Sequence, residues 1–507
     1  MSEPQKFYGP HRAQAPKPKP LKPSATQPRH ASRFMEAAKV DDLNAGWNPV
    51  NYSADAVLRQ ELPRVRARSR YLAVNSPHFR RFLKLCEENV VGVDGIILRM
   101  RVTDAITRDG QIIMDKVGNR LIEEAWWKWN KRQYASYNHR DTFLAIQRLC
   151  ITGVARDGEI FIRKIRGDSK NPFRFSLQLI EPDHVDVAYN QELGGGAYIR
   201  MGIEYDARDR VTAYHVYDRH PGDRIANAMQ MTNRVRVPTS DMVHLFVRER
   251  PTQSRGIPWG VTSMARSKML DGYTQAELVA ARAAAGKMGF VVNPDGQSYT
   301  GDGEGVDENG NRVTISDFDP GTLEQLPEGW DFKAFDPQHP STAFEPFVKM
   351  CLRDIFTGMG ISYNKAANDY EGVNYSSLRE SNLAERDFWK TIQCWFFEGL
   401  HEEIYRDWLE MALTTRQIPL PIAKIEKYDA ATWRGRGWKW VDPLKEATAA
   451  EKNYSLGTTS LTRICDDNGD DFEQILQERK AEQELAKQYG VEISGGGTSQ
   501  TSRRPGQ

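Results

Sequence analysis

A chain of 507 residues exceeds what one hydrophobic core usually serves, so more than one packed unit is expected. Hydrophobic residues make up 39% and charged residues 27%, the balance of an ordinary globular protein able to bury a core. With a formal net charge of +1, tight, static nucleic-acid binding is not predicted, since such binders draw their affinity from many phosphate-neutralising cations; a surface past which DNA slides remains compatible, as does no DNA contact at all.

The first 33 residues carry Lys6, Arg12, Lys17, Lys19, Lys22, Arg29 and Arg33 against the single acid Glu3. Alternating Lys and Pro from Pro16 to Pro23 cannot continue a helix, so a mobile basic arm is expected, either simply solvated or touching DNA or a scaffold. From Pro77, the positions Phe79, Phe82, Leu83, Cys86 and Val90 step by threes and fours, which is helical, and Gly92 and Gly95 end the run. A second helix carries Leu121, Ile122, Ala125, Trp126 and Trp129; a third runs from about Asp141, as N-cap, to Cys150. The period then changes to two. Glu159–Arg163, Phe175–Leu179 and Val211–Tyr217 predict strands, with turns at Gly167-Asp168 and Gly194-Gly195-Gly196. This is a mixed α+β domain.

After Pro258 a helix is predicted to about Ala285, with Gly286 as its stop and a small-residue end, Ala280, Ala281, Ala283, Ala284 and Ala285, that admits a close helical neighbour. Residues 287–336 predict short strands around a polar Gly/Asp-rich tip at 301–311. A helix from Phe344 to Met359 leads to a polar loop, Asn364 to Asn374, and then to the longest helix, about Ser376 to Leu413. Along it Trp389, Ile392, Phe396, Leu400, Ile404, Trp408 and Met411 form one apolar stripe. A last helix spans about Phe472 to Tyr489, followed by a mobile Gly/Ser-rich tail.

No apolar run approaches a membrane span; Val90–Ile97 is broken by Gly92, Asp94 and Gly95. The opening residues lack the layout of a secretory leader, so a cytoplasmic protein is the simplest expectation. Five cysteines, Cys86, Cys150, Cys351, Cys394 and Cys465, lie far apart, which predicts reduced and mostly buried thiols. Catalytic chemistry finds little support. The phosphate cradle Gly-x-x-x-x-Gly-Lys-Ser/Thr of an ATP-driven motor is missing. In His401-Glu402-Glu403-Ile404-Tyr405 a tyrosine replaces the second zinc-binding histidine. The cluster Glu181-Pro182-Asp183-His184-Val185-Asp186 is read as a strand-end turn rather than a metal site, and 302–311 as a hairpin tip rather than a calcium loop. No catalytic residue, metal or cofactor is assigned.

Several strings together carry a resemblance. These are Arg66-Ala67-Arg68-Ser69-Arg70-Tyr71-Leu72-Ala73-Val74-Asn75-Ser76-Pro77 with Asn89-Val90-Val91-Gly92; Gly202-Ile203-Glu204-Tyr205-Asp206; Ala213-Tyr214-His215-Val216 with His220-Pro221-Gly222-Asp223; and Val243-His244-Leu245-Phe246. Further strings are Arg250-Pro251-Thr252-Gln253-Ser254-Arg255-Gly256-Ile257-Pro258-Trp259, Leu326-Pro327-Glu328-Gly329, Val373-Asn374-Tyr375-Ser376-Ser377-Leu378-Arg379, and Trp433 through Glu446. Each alone is weak. In this order, over about residues 60–480, they resemble the lambda-type family of tailed-phage portal proteins.

That resemblance implies a non-enzymatic subunit of a dodecameric ring at one capsid vertex, in the virion and, during assembly, in the host cytoplasm. The ring would serve as conduit for packaging and ejecting double-stranded DNA, which it would contact without sequence preference, and as nucleus for procapsid assembly. Expected partners are the terminase large subunit, the major capsid and scaffold proteins and a head–tail connector, with no membrane. It also implies a division of the chain: a basic arm at 1–50, a mixed α/β wing at 51–255, a first stem helix at 256–286 and a small β-containing clip at 287–336. A second stem helix at 337–360 would follow, then a channel loop at 361–375, a long wing helix at 376–416, a helical crown at 417–490 and a mobile tail at 491–507. Lys365, Asn364 and Asn368 would face DNA in the channel, and Ala280, Ala281 and Ala284 would pack between subunits. Arg255, Gly256, Pro258 and Trp259, with Asn374, Tyr375 and Ser376, would be structural: glycine and proline turn the chain into a helix and the tryptophan packs. A maturation protease or nuclease, or a monomeric DNA-binding adaptor, are the competing classes; the first needs a convergent catalytic constellation, the second would not form a ring.

Overall fold

The computed structural model describes residues 50–491, apart from 107–108, 110–111, 224–232, 286–288, 293–303, 307–311, 315–330, 335–342 and 440–441. The basic arm up to 49, the stop at Gly286, most of 287–336 and the tail after Val491 therefore lie outside the described residues.

Helix α1 spans Ala54–Asn75 and starts at Ser53, whose Oγ accepts from the Ala56 N–H. Helix α2, Pro77–Cys86, buries Phe79, Phe82, Leu83 and Cys86, the predicted stripe, and widens into a π-turn, Glu87–Val91, that ends at Gly92. Strands β1 (Ile97–Met100), β2 (Thr103–Ile106) and β3 (Ile112–Met114) follow, then α3 (Lys116–Trp129) and the short α4 (Arg132–Ala135). Helix α5, Phe143–Asp157, is capped by Thr142 rather than the expected Asp141, because it is the Thr142 Oγ1 that accepts from the Ala145 N–H.

Strands β4 (Glu159–Arg166) and β5 (Phe175–Ile180) come next, then β6 (Gln191–Gly194), β7 (Ala197–Arg200), β8 (Ile203–Tyr205), β9 (Val211–Tyr217), β10 (Arg234–Pro238) and β11 (Met242–Phe246). They form two antiparallel sheets, ordered β11-β4-β5 and β10-β9-β8-β7-β6. The register sets Phe161 opposite His244 on one side and Ile180 on the other. Phe161 therefore belongs to the small core it shares with Tyr214, Val216 and Val237 of the larger sheet.

Helix α6 (Val261–Ala285) packs antiparallel on α7 (Phe344–Gly358): the Ser263 hydroxyl donates to the Ile355 carbonyl at 2.7 Å, while Tyr273 meets Phe344 and Phe347 further along. Between them the described pieces are four strands, β12 (Gly289–Val292), β13 (Glu304–Val306), β14 (Arg312–Thr314) and β15 (Asp331–Ala334), paired β12-β15 and β13-β14. Where a loop is predicted from Asn364, the chain first makes a short helix, α8 (Tyr363–Ala367), because Ala366 has a place in the core. The predicted long helix is α9 (Tyr375–Phe396), a π-turn (Phe397–Glu402) and α10 (Glu403–Thr414) in succession. After α11 (Ile425–Tyr428), strand β16 (Ala431–Arg434) returns to pair with β1, so Ile97 faces Arg434 and residues late in the chain complete a sheet begun early. Helices α12 (Pro443–Ser455), α13 (Leu461–Asn468) and α14 (Phe472–Gln488) end the described chain.

One apolar core joins α2, α3, α5, the β11-β4-β5 sheet, α7 and the α9–α10 rod. At its centre Trp126 lies 4.8 Å from Trp408 and 5.2 Å from Phe143, and the Trp129 indole donates to the Phe175 carbonyl at 2.9 Å. Of the predicted stripe on the rod, Trp389, Phe396, Leu400, Ile404 and Trp408 are fully buried. All five cysteines are free, but only Cys86 and Cys150 are buried, so the expectation of mostly buried thiols fails for Cys351, Cys394 and Cys465. Among the described residues no helix is long and apolar enough to cross a membrane.

His401, on the π-turn, is fully buried among Phe143, Phe396 and Trp433, with Nδ1 facing the Phe396 carbonyl and Nε2 unpartnered. Burial holds its pKa down from 6.5 to about 3. The folded state thus disfavours a proton that the unfolded chain takes up near pH 6.5, so this contribution to stability is complete above 6.5 and drains away as pH falls towards 3. His401→Phe should cost about 1 kcal/mol at pH 7.5 through the lost carbonyl partner, yet flatten the decline between pH 6.5 and 4. Urea midpoints across that range check it; an unchanged slope would contradict it.

Candidate functional site

The motif Arg255-Gly256-Ile257-Pro258-Trp259 links the strand-rich half to α6, and its arginine is fully buried. Arg255 donates to Glu159 Oε1 through Nε at 2.7 Å, with Nη2 at 2.6 Å from the same oxygen. Its remaining N–H groups reach the carbonyls of Val185 (3.0 Å), Met201 (2.7 Å) and Pro182 (3.1 Å). Arg66 of α1 also donates to Glu159 Oε1, and its Nε reaches the Asp157 carbonyl at 2.9 Å. The second oxygen, Oε2, accepts from the Gly256 N–H at 2.9 Å and faces His244 Nε2 at 2.8 Å. One carboxylate at the start of β4 therefore gathers α1, β11 and the approach to α6.

Burial alone would raise the Glu159 pKa, but Arg255 and Arg66 reverse it and the carboxyl ends well below its ordinary range. Burial lowers the His244 pKa, only partly opposed by Glu159, and its ring stacks on Phe161 at 4.2 Å and Phe246 at 4.4 Å. Backbone contact fixes the geometry. A methyl on Gly256 would meet the Gly158 carbonyl oxygen at 2.0 Å, and Gly158 itself has φ +90°. Pro258 is buried, Trp259 donates its N–H to the Ala155 carbonyl at 3.1 Å, and its indole lies 6.1 Å from Trp395. The turn-and-pack reading of the motif describes Gly256, Pro258 and Trp259; for Arg255 it leaves out the ionic role.

Arg66, Glu159 and His244 were not singled out from the sequence. Arg66 does carry a signal: it continues the helical face Leu58, Leu62, Ser69 and Leu72, all buried, and an arginine in such a row requires a buried acid.

Asn374 caps α9, its Oδ1 accepting from the Ser377 N–H (2.8 Å) and from the hydroxyls of Ser376 (2.9 Å) and Ser377 (2.8 Å), and Tyr375 opens the helix. Asn364 lines a cleft of about 490 Å³ with Arg353, Thr357, Tyr363 and Asn374. Asn368 is exposed and closes α8 with φ +54°, its N–H bonded to the Asn364 carbonyl. Lys365 is a quarter exposed, with Nζ 3.5 Å from Glu385, and burial, opposed by that carboxylate, lowers its pKa. Ala280 and Ala281 are half-buried on α6; the side chain of Ala284 lies outside the described residues.

Glu181 and Asp183 approach His220, not the neighbouring His184, within metal-ligand range of one another. Arg70 lies 2.5 Å from Asp183 and already supplies the positive charge there.

Comparison with known proteins settles the family. The model described as "Phage portal protein, lambda family" matches residues 41–393. A probable portal protein of Halomonas phage phiHAP-1 is 33% identical over 480 residues, 93% of this chain and 90% of that one. This chain belongs to the lambda family of phage portal proteins. Other members are more distant: the portal protein of Escherichia phage N15 is 23% identical over 86% of this chain and 87% of its own length, and portal protein B of Escherichia phage lambda is 22% identical over 86% of each. Among solved structures, a chain in the neck of an empty GTA particle, computed with C6 symmetry, aligns with 84% of this portal chain and 94% of its own at TM-score 0.41 and 12% identity, a likeness too distant to carry a functional inference.

Removing one partner of the buried network leaves an uncompensated charge. Arg255→Met should therefore destabilise the subunit by about 3–5 kcal/mol, and Arg255→Lys should rescue little, since an ammonium cannot span Glu159 and three carbonyls. Urea unfolding reads both; a loss below about 1 kcal/mol for Arg255→Met would remove the network from this role.

Proposed function

We propose that this chain is the subunit of a ring at a single vertex of a phage head, structural rather than catalytic, through which double-stranded DNA is packaged and later ejected. Family membership carries this reading, and exposed apolar side chains on the α6–α7 pair support it. Met269, Leu278 and Val279 on α6 and Phe347 and Met350 on α7 are exposed, with Met269 and Leu278 on opposite sides of α6. A neighbouring copy packed against α6 near Ala280, Ala281 and Ala284 covers Leu278 and Val279. Such a contact between two different patches closes into a ring when its rotation allows; the family implies twelve subunits.

In this reading 51–255 is the wing, 256–286 and 337–360 the stem, 287–336 the clip, 361–375 the channel loop and 417–490 the crown. The clip offers docking surface to the terminase large subunit and then to the head–tail connector. The wing and arm meet capsid and scaffold proteins while the ring nucleates the procapsid in the host cytoplasm. Asn364, Asn368 and Lys365 meet DNA weakly and without sequence preference. Weak contacts suit passage, because every strong phosphate bond would have to be broken at each step.

Leu278→Asp and Ala281→Trp should leave the subunit's helix content unchanged and abolish closed rings in native mass spectrometry. Rings of unchanged size and yield in both variants would remove α6 from the interface.

A further inference from the structure

A cleft of about 780 Å³ opens between the first turns of α1, strands β7–β9, the end of β11 and residues 248–254, a size that takes a short stretch of peptide. Its floor holds two polar side chains that are buried yet incompletely satisfied. Tyr214 is 5% exposed, and its hydroxyl has no hydrogen-bond partner among the described residues. The His244 side chain is 6% exposed; Nε2 faces Glu159 at 2.8 Å, and Nδ1 has no partner among the described residues. Both rings line the cleft, so their partners come through it.

The two atoms differ in kind. Glu159 is ionised, so the His244 proton sits on Nε2, where it donates to the carboxylate, and Nδ1 presents a lone pair. The Tyr214 hydroxyl donates. With the two rings 5.7 Å apart, the floor offers one acceptor and one donor close together, the pair that the N–H and C=O of a peptide backbone require. Met201 and Ile203, both buried, add apolar floor beside them.

The rim sets the charge of the occupant. Arg59, Arg200 and Arg248 line it against two acids, and both acids are engaged. Asp55 accepts from the Ser254 N–H at 2.9 Å and its hydroxyl at 2.7 Å and pairs with Arg200, while Asp209 accepts from the Tyr198 hydroxyl at 2.7 Å. Arg59 and Arg248 are exposed, with no ion-pair partner among the described residues. The first 33 residues of this chain, with seven bases to one acid, have the wrong sign to answer them. Single-stranded nucleic acid is disfavoured for another reason: it stacks its bases on open aromatic faces, and here these are taken. Tyr198 stacks on Tyr205 at 5.1 Å with the Arg200 guanidinium 4.8 Å over its ring, and Phe246 stacks on His244 at 4.4 Å with Arg248 5.9 Å over it.

We propose that this cleft docks an acidic peptide segment of a partner protein, whose backbone meets Tyr214 and His244 while its carboxylates meet Arg59 and Arg248. The proposal needs only the folded subunit, so it stands or falls apart from the ring reading.

The probes are fluorescein-labelled peptides of glutamate and aspartate with a single leucine, titrated into the full-length protein and followed by anisotropy, with amide hydrogen exchange to locate the contact. They should bind and slow exchange in 53–59 and 244–254, and lysine-substituted counterparts should not. Arg59→Glu combined with Arg248→Glu should weaken binding by roughly tenfold or more, and Tyr214→Phe by roughly threefold or more, with helix content and urea midpoint unchanged. Acidic peptides that fail to bind, that bind the arginine double variant equally well, or that protect a different part of the chain overturn the proposal. So does a single-stranded oligonucleotide of matching charge that binds more tightly at the same residues, which makes the cleft a nucleic-acid site. Protection of 244–254 on ring closure that shuts the peptides out overturns it too, because a neighbouring copy is then the occupant.

Discussion

Everything in the described body turns on one buried carboxylate. Glu159 has no exposure, yet it is held ionised by two guanidiniums and by the backbone of Gly256, groups drawn from two distant stretches of chain, α1 and the approach to α6. A buried ion pair is a poor source of net stability, because desolvation cancels much of the attraction. What it supplies is a single acceptable geometry: any shift of α1 or of the approach to α6 strands a charge in a dry interior. In the proposed ring, where α6 meets a neighbour, that intolerance is useful. It makes the junction between the strand-rich half and the α6–α7 pair stiff where an apolar junction would slide.

Much of this was legible from the sequence, and the reasons differ by element. The α2 stripe and the α9–α10 stripe were readable because a helix packed on one side repeats its apolar residues every three to four positions. Val211–Tyr217 was readable because one sheet face is covered and the other is not. Asn374 stood out as part of a family string, and the structure shows that its role there is to cap α9. Less legible were features decided by distant partners. Nothing near Asn364 announces that Ala366 has a place in the core, so a loop was expected where α8 forms. The pairing of β16 with β1 joins residues more than three hundred positions apart and leaves no local mark. Helices α12 and α13 were not placed one by one; they entered only within the helical crown that the resemblance implies.

The site was legible in outline and not in mechanism. The string from Arg250 to Trp259 stood out, and Gly256, Pro258 and Trp259 behave as glycine, proline and tryptophan do at a tight entry into a helix. The arginine was the informative residue. A guanidinium inside a stretch otherwise buried, together with Arg66 on an apolar helical face, points to a shared acid, and the only way to find Glu159 from sequence is to ask what both arginines could be paired with. Lys365 reads from the sequence as a contact for phosphate, and its neighbour Glu385, 3.5 Å from Nζ in the folded subunit, is a partner the sequence does not announce.

The proposal that neighbouring copies complete the chain draws on its exterior. Its core is complete and aromatic-rich, whereas large apolar side chains remain in water along α6, α7 and the last three helices. Electron cryo-microscopy of the purified full-length protein measures the consequence directly. The account predicts closed rings of identical subunits around a central hole that admits a DNA duplex, with the end of α6 near Leu278 covered by the adjacent copy. Particles that stay monomeric, or that associate into open filaments or rings without such a hole, would contradict it.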